Sequence, residues 1–276
     1  MSETQDQIET GAPAYAAPQT APPPPQPEEP ARLNAVQRLT GTLFSPGETF
    51  QDVNRKPTII VPIILGMIIA VVGGMFFSWK VKPDWDRIFR QQIQRQLDRT
   101  GQSLPPEQIE QRVEFSKKLV PVFPLIGAIG TPISYLIIAG VLALGLMLIQ
   151  AKTTFKKILS VVSWSYMATS LVQTVVLIIV IMVQDQETLN SIDPTQGLNI
   201  VPSNLGALLP SGSSPALAAL AGSFDVFSIW YLILLSIGLA AIAGSRKITA
   251  KKTGVIVFGL WLVVVLIKVG WRGLFG

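Results

Sequence analysis

Ser163, Tyr166, Ser170 and Gln173 are spaced three, four and three residues apart, with Thr169 and Thr174 close by. That spacing puts the four on one face of an α-helix. The side chains are neutral donors and acceptors, so the chemistry open to them is hydrogen bonding. They could hold helices together, or they could line a path for a small solute or a lipid. Nucleophilic catalysis is a poor fit, because a serine needs a base within reach and the chain contains no His. The absence of Cys also removes thiolate chemistry, disulfides and Cys-linked lipid anchors. Asp225 stands before Val226-Phe227 and suits a helix N-cap better than a site. No phosphate-binding loop, dinucleotide fingerprint or metal cluster is written in the chain, so no catalytic residue and no cofactor is expected. The basic residues lack interleaved aromatics, which argues against nucleic acid as a partner.

The element that carries the polar face is itself hydrophobic. Hydrophobic residues make up 49% of the 276 residues and charged residues 14%, with a mean hydropathy of +0.46. A soluble domain carries about 25% charged residues, so much of this surface must meet lipid. Five windows are apolar and free of charge: Thr58–Phe77, Leu119–Ile149, Ile158–Val183, Val226–Gly244 and Gly254–Ile267. A hydrocarbon core of about 30 Å needs about 20 helical residues. Pro121 and Pro124 place an interfacial approach before the second span, and Lys268 can snorkel to extend the fifth. The expectation is an all-α integral membrane bundle of five transmembrane helices, at about 58–77, 125–149, 158–183, 226–244 and 254–270. Residues 271–276 then form a short C-terminal tail.

Small residues recur every fourth position in the first span (Gly66, Ala70, Gly74) and the fourth (Ser236, Ala240, Gly244), which allows close helix approach. Such stripes serve packing within one bundle or between copies, so a homo-oligomer is open. Pro132 beside Thr131 and Ser134 suggests a kink in the second span.

Residues 1–31 contain five acids, no Lys or Arg and the run Ala21-Pro-Pro-Pro-Pro-Gln-Pro. This composition predicts a disordered tail, not a signal peptide, and offers a route to an unknown protein partner. In residues 32–57, Val36, Leu39 and Leu43 recur at helical spacing, and Ser45-Pro46-Gly47-Glu48 reads as a capping box. Two amphipathic helices lying in the membrane interface are therefore expected before the first span. Between the first and second spans, Trp85, Phe89, Ile93 and Leu97 repeat every fourth residue, Gly101 is a stop, and Pro105-Pro106-Glu107 opens a second helix. That predicts a helical hairpin loop.

Orientation follows from the loops. The short connectors 151–157 and 245–253 are basic and lack acids, whereas 184–225 has no Lys or Arg. The positive-inside rule then places the N-terminus in the cytoplasm and the C-terminus outside, as in a bacterial inner membrane. The hairpin loop opposes this with nine basic residues, and a total count leaves eleven on each side. The short connectors carry more weight than a loop that folds.

The order of these features resembles the bacterial branch of the YIP (Ypt-interacting protein) domain family. The similarity rests on Leu43-Phe44-Ser45-Pro46-Gly47-Glu48-Thr49-Phe50, Lys56-Pro57 before the first span, and Phe155-Lys156-Lys157 leading to Ser163-Trp164-Ser165-Tyr166. It continues with Phe224-Asp225-Val226-Phe227-Ser228-Ile229-Trp230 and Gly238, and covers roughly residues 33–268. The resemblance implies a five-span, non-enzymatic membrane protein with a cytoplasmic N-terminus. Eukaryotic relatives bind prenylated Rab-type GTPases, but the tail motifs for that are not visible here. The function expected is a membrane scaffold or adaptor contacting lipids and a protein partner. A small-solute or lipid permease using the polar face of the third span is the alternative.

Overall fold

A computed structural model describes residues 32–191, 201–210 and 212–275. The Pro-rich segment 1–31 lies outside the described residues. All named elements are helical, and an isolated bridge pairs Asn204 with Asp225. Two short helices, α1 (Ala35–Phe44) and α2 (Pro46–Arg55), precede the apolar α3 (Ile60–Val81). The hairpin α4 (Trp85–Thr100) and α5 (Pro106–Leu119) leads through a 3-10 turn into α6 (Phe123–Leu148). Then come α7 (Phe155–Val183), α8 (Gln186–Ser191), a second 3-10 turn, α9 (Pro215–Ala221), α10 (Val226–Ile242) and α11 (Ala250–Phe275).

Among the described residues four helical stretches are long and apolar enough to cross a membrane; they contain α3, α6, α7 and α11. The apolar α10 has 17 residues, close to the lower limit for a span. Its ends are set by chemistry. Asp225 caps the start, accepting from the Ser228 amide at 3.0 Å. Gly244 ends it at φ +70°, a conformation that favours glycine. At this turn the Lys152 amide donates to the Ala243 carbonyl at 3.0 Å.

The long helix α7 is the hub, packing on α3, α6 and α10 and, near its start, on α1 and α2. Its first half is buried without interruption from Ile158 to Ser165, and its second half is largely half-exposed. The core joins Trp164 and Met167 to Tyr135 and Leu142 of α6, Leu235 and Leu239 of α10, and Phe50 and Val53 of α2. Outward faces are apolar too: Ile64, Ile68 and Val72 on α3, and Val263, Val264 and Ile267 on α11, are exposed. An apolar core inside an apolar shell is the pattern of a bundle solvated by lipid.

The small residues of α3 meet α6: the Tyr135 hydroxyl lies 2.9 Å from where a Cβ on Gly66 would stand, and Pro124 Cβ 3.0 Å from one on Gly74. On α10, the Thr253 hydroxyl of α11 donates to the Ser236 carbonyl at 2.6 Å. Pro132 sits inside α6.

Three local expectations change. The packing face of α1 carries Arg38 and Thr42 beside Leu39 and leaves Val36 exposed, so only part of the apolar stripe Val36–Leu39–Leu43 faces the core. Ser45 precedes α2 without a side-chain cap; the capping box is formed earlier, by Asn34 and Gln37. Residues assigned to a C-terminal tail continue α11 as far as Phe275, since nothing in 271–275 breaks a helix except Gly273. The hairpin forms as expected, with Gly101 at φ +64° and Ile88, Phe89 and Val113 buried.

Candidate functional site

The polar residues of α7 divide into two groups. Ser163 is fully buried, and its hydroxyl donates back to the Leu159 carbonyl at 2.8 Å. Ser170 likewise donates to its own helix, to the Met167 carbonyl at 3.0 Å. Back-bonding of this kind satisfies the hydroxyl without reaching a neighbouring helix. Tyr166 lies between Tyr135 of α6 and Tyr231 of α10, at ring-centroid distances of 5.1 and 5.8 Å. Tyr166, Ser170 and Gln173 share a groove with residues of α3 and Thr131 of α6, whereas Ser163 is not among its lining. Asp225 does not line the groove; it caps α10 and accepts from the hydroxyl of Ser203, which does line it.

The polar cluster with the most partners is elsewhere, where α1, α2 and the start of α3 meet α7. Arg38 and Asp52 each expose only 2% of their surface. The Arg38 guanidinium donates to Asp52 Oδ2 from Nε at 2.9 Å and Nη2 at 2.7 Å. Its Nη1 reaches Thr58 Oγ1 at 2.7 Å, and that same oxygen accepts from the Trp164 indole at 3.1 Å. The Ser160 hydroxyl closes the cluster, donating to the Thr58 carbonyl at 2.7 Å and accepting from the Thr58 amide at 3.1 Å. Backbone amides of Arg32 and Leu33 fill the remaining carboxylate sites at 2.8 and 3.4 Å.

The local sequence explains the convergence. Pro57 cannot donate a backbone hydrogen bond, and the chain between α2 and α3 leaves the Thr58 amide and carbonyl without helical partners. Ser160 satisfies both. Burial raises the Asp52 carboxyl, but hydrogen bonds from the Arg32 amide and Arg38, together with the Arg38 charge, outweigh it. The group is held below the ordinary carboxylate value. The pair is therefore ionised and saturated, which suits a clamp and leaves no free base for chemistry.

A sequence signal for this cluster exists. Ala35, Arg38, Leu39 and Thr42 share one helical face, as do Thr49, Asp52 and Val53. A cation and an anion on the packing faces of consecutive short helices can both be buried only if they pair. Among the described residues no group of three metal-binding side chains comes together.

These features define a helical membrane protein with a buried ion-pair cluster where its N-terminal helices meet the bundle. The Yip1 domain family model matches residues 40–271. The chain therefore belongs to the Yip1 domain family and is an integral, multi-pass membrane protein. It is 27% identical over 226 residues to "Membrane protein YknW" of Bacillus subtilis (strain 168), covering 82% of this chain and 87% of that one. No solved structure matches the chain significantly.

Proposed function

We propose that the chain is a non-enzymatic membrane scaffold that holds a rigid platform, α1–α2, against one end of a five-span bundle and presents the segment 1–31 to a protein partner. In this reading α10 is the fifth span. Its modest length is offset because α2 covers its basic-connector end, with Phe50 close to Gly238. The N-terminus and both basic connectors face the cytoplasm of a bacterial cell, following the positive-inside rule.

The observation that carries the proposal is the buried Arg38–Asp52–Thr58–Trp164 cluster. A segment that merely floated in the interface would have no need to bury an ion pair against the bundle. Fixing α1 to α7 sets where the preceding segment leaves the protein. The polar face of α7 supports this reading over a permease, since Ser163 is buried and the rings of Tyr135 and Tyr231 pack against Tyr166.

The test is copurification after mild detergent extraction, comparing the full chain with a variant lacking residues 2–31. A protein partner retained by the full chain and lost from an intact, folded variant is the expected outcome. Equal retention by both, or no protein partner with either, would overturn the scaffold reading.

A further inference from the structure

Away from the basic connectors, a groove of about 320 Å³ lies among α3, α6 and α7. Gly66, Ala70 and Gly73 form its α3 wall, and Tyr166, Gln173 and Thr174 its α7 wall. Thr131 contributes from α6, Phe77 and Leu177 continue the groove along the helices, and Val201 and Ser203 border it from the loop before α10. Among the described residues no charged side chain lines it.

The groove is rich in unspent hydrogen-bonding capacity. The side chains of Tyr166, Gln173 and Thr174 have no hydrogen-bond partner among the described residues, whereas the Thr131 and Ser170 hydroxyls donate to their own helices. Against Gly66 of the α3 wall, the Tyr135 hydroxyl is fully buried and unpartnered. This hydroxyl abuts Gly66, 2.9 Å from where a Cβ would stand. Polar groups at membrane depth lack water to satisfy them, and a buried donor without a partner is costly.

The chemistry of an occupant follows from these surroundings. The hydroxyl and amide groups present both donate and accept, which an uncharged lipid carrying ester carbonyls and a free hydroxyl complements. No cation is at hand to neutralise a phosphate, and an unpaired charge at this depth is expensive. Apolar walls above and below the donors call for hydrocarbon. Tyr166 lines the groove, and its ring packs against those of Tyr135 and Tyr231. We infer that this groove is a binding site for an uncharged lipid of the diacylglycerol class, its ester carbonyls accepting from Tyr166 and Gln173 and an acyl chain lying along Phe77 and Leu177.

The inference is independent of the scaffold reading, and a lipid assay on the full chain tests it alone. Radiolabelled dioleoylglycerol and dioleoylphosphatidylglycerol are offered separately to the purified full chain in detergent. Dioleoylglycerol should bind saturably, about one per chain, at least tenfold more tightly than the anionic lipid. Ala70→Leu, which fills the groove, and Gln173→Leu, which removes its amide, should each weaken retention about tenfold while thermal unfolding stays unchanged. Gln173 is exposed, so its variant reports on binding even if Ala70→Leu fails to fold. Retention no better than that of empty micelles, equal or tighter binding of the anionic lipid, or full retention by a folded Gln173→Leu variant would overturn the inference.

Discussion

The Arg38 guanidinium and the Asp52 carboxylate pair through Nε at 2.9 Å and Nη2 at 2.7 Å, with both residues removed from solvent. Two consecutive helices of ten residues each are too short to be stable alone. Their geometry comes from this pair and from Phe50 and Val53, which lie wholly in the core. The pair also reaches beyond its own helices, because Thr58 passes the contact on to Trp164 of α7.

Removing one partner should therefore cost far more than removing both. Arg38→Ala or Asp52→Ala leaves a buried charge uncompensated and should lower stability by about 3–5 kcal/mol. The double variant Arg38→Met/Asp52→Leu should recover most of that loss. Denaturant unfolding in detergent reads both values. Equal losses for single and double variants would mean that the charges contribute little beyond packing.

The same pair sets an acid limit. The Asp52 carboxyl is lowered in the folded protein, so its stabilisation is complete above the ordinary carboxylate pKa of about 3.9. It is lost as pH falls through the lower folded value. The melting temperature should not respond to this group between pH 7 and 5 and should fall in stronger acid. Asp52→Asn should remove that part of the acid dependence. Measurements in high salt suppress the exposed Asp86–Arg90 and Asp86–Lys117 pairs of the hairpin, which otherwise add their own.

Close packing of α2, α7 and α10 can be probed at Gly238. A Cβ there would stand 2.4 Å from Val161 Cγ1 and 3.1 Å from Phe50 Cγ. Gly238→Val should destabilise the bundle by about 1–3 kcal/mol through overpacking. Val161→Ala in the same chain should restore part of it. A Gly238→Val variant as stable as the parent, by thermal unfolding, would show that the three helices are not held this tightly.

Several elements were readable from local pattern. The long apolar windows correspond to α3, α6, α7, α10 and α11, and Gly101 and the Pro105-Pro106 pair bound the hairpin. The face of α1 was not readable from apolar spacing alone, because its packing face uses Arg38 and Thr42, residues that count as polar. Ser163 and Gln173 illustrate the same limit in α7. One helical face holds both, yet Ser163 is buried and Gln173 exposed, since α1 and α2 cover only the first half of the helix. Periodicity gives the face of a helix, while its depth depends on what packs at each level.

The boundary of the N-terminal segment is equally specific. Deleting residues 2–31 should leave stability unchanged, because that cut spares Arg32 and the Asn34 capping box. Extending the deletion through residue 34 removes the Arg32 amide from Asp52 and the α1 cap, and should cost about 1–3 kcal/mol. Thermal melts of the two truncations separate these outcomes. Similar losses for both would place stabilising contacts within residues 2–31.

The central claim, a platform and basic connectors on the cytoplasmic side of five spans, is tested most directly by single-Cys accessibility. The chain has no native Cys to mask. Probes replacing Ser2, Lys152 and Thr249 should react only from the cytoplasm, and probes replacing Gln102 and Ser213 only from outside. Labelling of Ser213 from the same side as Thr249 would show that α10 does not cross. Labelling of the whole set with sides exchanged would invert the bundle and contradict the account.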